Sequence, residues 1–315
     1  MTTLVIGAGL IGRLTADLLT ARGDSVVLAD IRPAPGRDVA LCDVSDATAL
    51  DALVTTRGIR RIIHTAAMLS TGIRENPVRG VQVNVMGTTN VLDCARRHGL
   101  GRIVIASSST VGYTGFATHG PTPIEEDQPL RQISDRPASI YAATKIAAEH
   151  LGLLWHDLYG VDTILLRYAA VIGPEPGIPS SVPGRLIAKL TEGARAGTRV
   201  ALDDRFMAWD GREEFVDARD CAHANLAALD APAPIQRIYH IAPGTWHTMA
   251  EFIDAVRKVF PTLDAEPPPE TGRGFAGFPH IRPAPSDTSA AERELGFSCR
   301  HSLADMIAAA SAPAV

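Results

Sequence analysis

The sequence has no basic excess: lysine and arginine number 30 against 35 aspartates and glutamates, for a net charge of −5. A chain without a cationic surplus lacks the electrostatic footprint that nucleic acid requires, so no nucleic-acid partner is expected. Cysteine is sparse and scattered. Cys42, Cys94, Cys221 and Cys299 show no C-x-x-C spacing, which fits neither a zinc site nor a disulfide framework, and they read as reduced core thiols. No metal site is expected. No apolar run is long enough to span a bilayer, and Met1–Gly7 enters a strand without a basic leader region, so the expectation is a cytoplasmic location and no membrane partner.

What is present is ordinary for a globular domain. At 315 residues, 46% hydrophobic and 21% charged, the chain can bury a large core as one α/β domain with an appendage, or as two domains. Thr3–Ile6 forms a short apolar run and meets Gly7-Ala8-Gly9-Leu10-Ile11-Gly12. Leu14, Leu18 and Leu19 then recur at helical spacing, and Gly23 precedes the next run, Ser25–Ala29. This is strand, glycine turn, helix, strand. In that setting Gly7 permits a tight turn, Gly9 a close approach of backbone to a pyrophosphate, and Gly12 close helix packing, while the helix start offers unpaired N–H groups to phosphates. Asp30 closes the second strand, where a carboxylate accepts ribose hydroxyls and repels a 2′-phosphate, favouring NAD over NADP. Arg32 and Arg37 keep NADP open, and a structural turn beside an exposed aspartate is the plainer alternative.

Strand and helix go on alternating, which argues for a doubly wound parallel sheet. Val39–Leu41 precedes Asp43-Val44, a pair that could hold an adenine edge. Asp43 and Asp46 could equally cap the helix around Ala49–Val54. The strand Arg61–Thr65 runs into Ala66-Ala67, small residues against which a flat cofactor can lie, and His64 reads as a satisfied core histidine. Pro77–His98 reads as one long helix with Val81, Val85, Val91, Leu92 and Ala95 on its apolar side. Asn84 within it has a polar task or faces solvent. The strand Arg102–Ala106 ends in Ser107-Ser108-Ser109-Thr110, hydroxyls placed where such sheets bind ligands. A loop from Gly115 to Pro137 is long enough to form a substrate rim. The strand Asp162–Val171 follows, and after Gly173-Pro174 the composition shifts, with Pro176, Gly177, Pro179, Pro183 and Gly184. A helix Arg185–Ala196, the run Val200–Leu202, a return helix within Glu214–Leu229, a strand Arg237–Ile241, a helix Met249–Phe260 and a tail Leu303–Ala310 complete the reading. The expected division is 1–173 plus 214–245 for a dinucleotide-binding domain, and 174–213 plus 246–315 for a smaller substrate-binding region.

Tyr141-Ala142-Ala143-Thr144-Lys145 places a phenol and an ammonium one helical turn apart. An opposite charge beside a phenol favours the phenolate, making the pair a proton acceptor for an alcohol undergoing oxidation. Alone, this spacing is a weak signal. Joined to Gly7-x-Gly9-x-x-Gly12, Asp30, Asp43-Val44, His64-Thr65-Ala66-Ala67, Asn84–Asn90, Ser107–Ser109, Leu166-Arg167-Tyr168, Gly173-Pro174, Asp287–Ala291 and Glu294–Phe297, it becomes specific. Over nearly its whole length the chain resembles an extended short-chain dehydrogenase/reductase of the NAD-dependent epimerase/dehydratase type. The resemblance implies a Rossmann fold and NAD as cofactor. It implies Tyr141 as acid/base, Lys145 holding the nicotinamide ribose and lowering the phenol, Ser108 bonding the reacting oxygen, and Asn84 holding a relay water. It further implies cofactor contacts from Gly7, Gly9, Leu10, Ile11, Gly12, Asp30, Ile31, Arg32, Asp43, Val44, Thr65, Ala66, Ala67, Ala106, Tyr141, Lys145 and Tyr168. Substrate contacts fall to Ser108, Ser109, Met68, Arg212 and Arg282. A homodimer, pairing the helices that carry Asn84 and Tyr141, is implied as well.

Departures from the family pattern narrow the reaction. Ser109-Thr110 stands where sugar-nucleotide dehydratases place Asp-Glu, so no extra acid and base for eliminating water is offered. The Arg-Asp-Phe-Val motif, whose arginine grips a nucleotide-sugar diphosphate, is Glu213-Glu214-Phe215-Val216 here, with Arg212 one place early. A carboxylate facing a diphosphate repels it unless Arg212 or Arg282 compensates. Ala170 replaces a substrate-binding Asn, and Ile6 the first Gly of the extended glycine motif. Ala29–Pro33 and Ala67–Ser70 are similar instead to short-chain L-threonine 3-dehydrogenases. The expected reaction is hydride transfer at a secondary alcohol carbon of a sugar, sugar derivative or small hydroxy substrate. C4 epimerisation of a nucleotide sugar, NADP-linked carbonyl reduction and a non-catalytic dinucleotide sensor are the alternatives. Trp209 and Trp246 read as packing residues more readily than as a platform for a substrate ring.

Overall fold

Strand and helix alternate through the first half of the chain, and the computed structural model describes residues 1–130, 139–174 and 181–312. In order come β1 (Thr2–Ile6), α1 (Leu10–Ala21), β2 (Ser25–Asp30), β3 (Ala40–Leu41), α2 (Ala47–Thr56), β4 (Ile59–His64), α3 (Ser70–Glu75), α4 (Pro77–Val81), α5 (Gly87–His98), β5 (Ile103–Ser108), α6 (Ile140–Tyr159) and β6 (Thr163–Tyr168). Then follow β7 (Ala170–Ile172), α7 (Val182–Ala196), β8 (Phe215–Asp217), α8 (Ala218–Asp230), β9 (Ile238–Ile241), α9 (Met249–Val259) and α10 (Leu303–Ala310). Seven strands form one parallel sheet in the order β3-β2-β1-β4-β5-β6-β9. The order reverses beside β1, at the point where doubly wound sheets open a crevice beyond the strand ends.

Side-chain alternation along the strands assigns each face its own core. Val5, Ile63, Val104 and Leu166 point to one side and pack with Leu19 of α1 and Ala224 and Ala228 of α8. Leu4, Ile6, Ile62, Ile103, Ile105 and Leu165 point to the other and meet Leu50 of α2 and Val91 and Leu92 of α5. A third core lies in the second half. Leu186, Ile187 and Leu190 of α7, Phe252, Ile253 and Val256 of α9, and Met306 and Ile307 of α10 surround Phe215 and Trp209. Trp209 is buried, packs against Phe215, Phe252 and Phe275, and donates from Nε1 to the His247 carbonyl, so it is a packing residue. Ala290, Ala291, Leu295 and Phe297, from the segment expected in the second region, pack into the first core.

Several elements differ from the sequence expectation for identifiable reasons. The helix expected over Pro77–His98 is continuous, but its central turn, Gln82–Met86, is a π-helix, which rotates Asn84 inward. The strand expected over Asp162–Val171 divides at Ala169. β6 stays in the main sheet, and β7 leaves it to pair with β8. The helix expected from Arg185 starts at Val182, because the Ser181 hydroxyl accepts from the Gly184 amide and Pro183 suits a first turn. Val200–Leu202 supplies only an isolated bridge, Val200 to Ala265. The expected loop Gly115–Pro137 is described as far as residue 130, where Ile124 is tied to the chain at 285–287 by backbone hydrogen bonds. Its remainder, and Pro176, Gly177 and Pro179, lie outside the described residues. Among those residues that are described, no helix is long and apolar enough to cross a membrane.

Candidate active site

The turn after β1 is built so that only glycine serves at two of its positions. Gly7 has φ 105°, and its amide donates to the Ala29 carbonyl at 2.7 Å. A Cβ on Gly12 would lie 1.8 Å from the Gly7 carbonyl oxygen. Above Gly9 the space is open: a Cβ there meets nothing within 4 Å, and the start of α1 has no side-chain cap. The first-turn amides of Leu10 and Ile11 are thus left to an anion such as a diphosphate. Asp30 supports the turn, taking the Ala8 amide on Oδ2 at 2.7 Å and the Arg32 amide on Oδ1 at 3.1 Å. Beneath it, the Thr65 and Ala66 amides both donate to the Ile6 carbonyl at 2.8 Å, and the Thr65 hydroxyl donates there at 3.0 Å. Arg37 is held by Asp17 at 2.5 and 2.8 Å, whereas Ile31 and Arg32 are exposed. The cradle, with the Asp30 carboxylate closing β2, fits NAD.

Around the adenine position, Val44 is buried and Asp43 carries the Ser45 amide and hydroxyl and the Arg79 guanidinium, at 2.5 Å for the last. Asp46, not Asp43, caps α2, accepting from Thr48 and Ala49. His64 is buried, with Thr88 3.3 Å from Nε2 and no partner for Nδ1 among the described residues.

The four hydroxyls after β5 separate by direction. Ser107 donates to Glu149 at 2.6 Å. Ser108 accepts from the Thr110 hydroxyl at 3.1 Å and from the Thr110 amide at 3.3 Å, which leaves its own proton to donate. Ser109 lies beside the Tyr113 phenol. Ser108 alone of these adjoins Tyr141. Tyr141 sits in the first turn of α6, which Ser139 caps by accepting from the Ala142 amide. Burial pushes the Tyr141 phenol up to about 12, and the neighbouring Ser108 hydroxyl opposes the rise. Burial pulls Lys145 down to about 8, and the charge of Glu149 opposes the fall. The Lys145 Nζ donates to the Ala106 carbonyl at 2.7 Å and lies 5.8 Å from the Tyr141 ring centroid. The lysine is therefore fastened to β5 rather than to the phenol oxygen.

Four expected side-chain roles are corrected. Both amide hydrogens of Asn84 are used: Nδ2 donates to the Met68 carbonyl at 3.0 Å and to the Thr144 hydroxyl at 3.1 Å, while Oδ1 accepts from the Met68 amide at 2.8 Å. It clamps the loop after β4 to α6, and with both amide hydrogens committed it has no donor left to offer a relay water. The Tyr168 phenol turns into the core and donates to Asn225 at 2.7 Å, which in turn donates to Thr15, so it ties β6 to α8 and α1 and does not reach a cofactor. Arg212 points outward in a bidentate pair with Glu251, 3.0 Å on each side. Arg282 is buried and bound to Glu214 at 2.5 Å, Glu213 at 3.2 Å and Ser286 at 2.7 Å. Neither arginine is free to grip a substrate.

Sequence reasoning passed over Glu149. Glu149 follows Lys145 by the same four-residue step that separates Lys145 from Tyr141, so the helical spacing alone carried the signal. Among the described residues one trio, Asp51, Cys94 and His98, brings possible metal-ligand atoms together. Its carboxylate is engaged by His98 at 2.7 Å and Arg97 at 2.5 Å, and the trio belongs to α2 and the end of α5, away from the crevice.

Comparison with known proteins gives a consistent picture. The sequence profile described as the NAD dependent epimerase/dehydratase family matches residues 3–242. The mitochondrial L-threonine 3-dehydrogenase of Bos taurus is 30% identical over 269 residues, 82% of this chain and 68% of that protein. The UDP-glucose 4-epimerase of Corynebacterium glutamicum is 26% identical over 318 residues, 94% of this chain and 89% of that one. The structure of the Thermus thermophilus UDP-glucose 4-epimerase in complex with NAD superposes with a TM-score of 0.79 at 25% identity, covering 98% of each chain.

Proposed function

The chain belongs to the NAD dependent epimerase/dehydratase family and is an NAD-dependent oxidoreductase of that type; on that premise we propose that Tyr141, Ser108 and Lys145 oxidise a secondary alcohol of a small, free hydroxy substrate. NAD, when bound in the glycine cradle, supplies the hydride acceptor. Tyr141 exchanges the proton of the substrate hydroxyl. Ser108, its lone pairs occupied by Thr110, donates to the same oxygen and steadies charge as it develops. Lys145 supplies positive charge and holds the ribose next to the reacting carbon. The presence of both Tyr141 and Lys145 speaks against a sensor without turnover.

One observation carries the substrate class. Where the nucleotide-sugar enzymes of the family are expected to offer an arginine to a diphosphate, this chain has Glu213, buried and bound to Arg282 and to the Tyr113 hydroxyl at 2.8 Å. Arg282 neutralises carboxylates of the protein itself and cannot also neutralise a diphosphate. The resemblance to an L-threonine 3-dehydrogenase supports a small free substrate. The test incubates the protein with NAD and, separately, L-threonine, UDP-glucose and UDP-glucuronate, following absorbance at the NADH band and products by NMR. The expected result is NADH accumulation with the amino acid or a close hydroxy acid, and none with either nucleotide sugar. Conversion of UDP-glucose to its C4 epimer without NADH accumulation would replace this reading with the epimerase one.

Residues 174–213 and 246–315 are proposed as the substrate-binding region, supported by the core that α7, α9 and α10 build around Phe215 and Trp209, while the stretch 290–297 joins the first core. A homodimer is proposed on the exposed apolar side chains of the adjacent α4–α5 and α6 helices, namely Val78, Val81 and Met86, and Leu154, Leu158 and Tyr159. Light scattering should report twice the mass of 33.4 kDa, and Leu158→Glu should halve it; a monomeric parent chain would end the proposal. A cytoplasmic setting is supported by four unpaired cysteines, and a disulfide found in the native protein by mass spectrometry would count against it.

A further inference from the structure

Tyr141, Lys145 and Glu149 form a row on one face of α6, and the last two grip successive residues of β5. Lys145 donates to the Ala106 carbonyl at 2.7 Å, and Glu149 accepts from the Ser107 hydroxyl at 2.6 Å. Glu149 is 1% exposed and takes two further hydrogen bonds from Arg167 of β6, at 2.8 and 2.7 Å. The remaining arm of Arg167 donates to the Glu126 carbonyl at 2.8 Å, and the Glu126 carboxylate accepts from the His240 amide of β9 at 2.9 Å. A buried ion pair of this kind is an expensive way to stabilise a core, because apolar residues of similar volume commonly do as well. Its position beneath the active-site lysine gives it another use.

We propose that Glu149 is a positioning residue for the dehydrogenase site: held by Arg167 and by Ser107, next to the Ala106 carbonyl that anchors Lys145, it sets a buried carboxylate one helical turn from that lysine and keeps the ammonium at its place over Tyr141. The proposal rests on Tyr141 and Lys145 being the catalytic pair. The groups around Lys145 are Tyr141 and Glu149 on α6, the Ala106 carbonyl and Ser107 on β5, and His64 on β4; Arg167 of β6 is bonded to Glu149. The chain is otherwise hostile to a charge here. Lys145 is 6% exposed, and burial opposes its ammonium form. His64 is itself held neutral by burial and by Lys145, so it adds no second cation. Among the described residues, Glu149 is the one charged side chain that acts on Lys145 in the favourable direction, and Arg167 bonds both oxygens of that carboxylate.

The sequence makes the test direct, because the chain has three lysines, Lys145, Lys189 and Lys258. Protein labelled with 13C at lysine Cε, with NAD bound, gives three signals, and the Lys145 signal is the one lost in Lys145→Arg. Titration of the parent, of Glu149→Gln, and of Glu149→Gln/Arg167→Met then reads the lysine itself. The double variant removes the charges together and spares the fold an unpaired buried arginine. The expected result is a fall in the Lys145 midpoint of about one pH unit or more, roughly tenfold in the protonation equilibrium, in both variants. An unchanged midpoint in both, or a fall in Glu149→Gln that the double variant restores to the parent value, would overturn the proposal. A purely structural ion pair would lower thermal stability and leave that midpoint alone. The titration needs no substrate, so its failure is distinct from failure of the catalytic assignment, which shows in the turnover of Tyr141→Phe.

Discussion

The Lys145 ammonium lies 5.8 Å from the centre of the Tyr141 ring and gives its hydrogen bond to the Ala106 carbonyl, 2.7 Å away. The two side chains share a helix face, yet the lysine is anchored to the sheet and the phenol lies toward Ser108. Burial leaves the phenol protonated around neutral pH, a state suited to donating a proton. To accept one it needs more positive charge close by, which a bound cofactor and Lys145 together can provide.

Tyr141→Phe removes the exchanging proton and little else. Turnover of the responsive substrate is expected to fall roughly a hundredfold to ten-thousandfold while NAD affinity stays near that of the parent. Initial rates and fluorescence titration with NADH measure the two sides, and a variant with full turnover would sink the assignment.

Gly12→Ala places a methyl group 1.8 Å from the Gly7 carbonyl oxygen, against backbone that cannot move aside cheaply. A stability loss of about 1–3 kcal/mol and a marked loss of NAD affinity are expected. Thermal denaturation with and without NAD checks both, since the ligand-induced rise in melting temperature should shrink with the affinity.

Asn84→Ala strips partners from the Met68 amide and carbonyl and from the Thr144 hydroxyl. A cost of about 1–3 kcal/mol in urea denaturation is expected, with no change in the pH profile of turnover. A changed profile at unaltered stability would restore the relay role.

Two arginines offered by the sequence as substrate contacts should behave oppositely. Arg282→Met leaves Glu213 and Glu214 buried without their cation and should cost about 3–5 kcal/mol. Arg212→Ala breaks an exposed pair with Glu251 and a hydrogen bond to the Trp246 carbonyl, should cost about 1 kcal/mol, and should leave KM unchanged. A large KM effect from Arg212→Ala would bring a substrate phosphate or carboxylate back into consideration.

Acid should unfold the protein partly through two histidines. Burial holds His64 and His240 down to about 3 from the ordinary 6.5. The unfolded chain takes up these protons first, so the stabilising effect is complete above pH 6.5 and is lost as pH falls toward 3. The slope is on the order of 1 kcal/mol per pH unit for each histidine. Denaturation free energies at pH 7, 6 and 5 should fall accordingly, and His240→Gln should flatten the slope; a pH-independent parent would contradict the burial argument.

Much of the fold was legible in the chain because parallel strands covered on both faces are apolar runs, and Ile62, Ile63, Ile103, Val104 and Ile105 announce themselves. Less legible were the places where one element changes partner or pitch. The split at Ala169 falls inside an unbroken apolar run, and the choice between staying in the main sheet and pairing with β8 is made by residues more than forty positions away. The π turn at Asn84 likewise depends on Met68 and Thr144, which no local pattern joins to it.

The sequence by itself determined the order of strands and helices, the glycine cradle and the one-turn spacing of Tyr141 and Lys145, since periodicity and backbone sterics act over a few residues. Only the tertiary structure decided which hydroxyl meets the phenol, and that Asn84, Tyr168, Arg212 and Arg282 are occupied by the protein's own groups. Hydrogen-bond partners and burial come from segments distant in the chain, and a polar side chain is available for chemistry only after those partners have been counted.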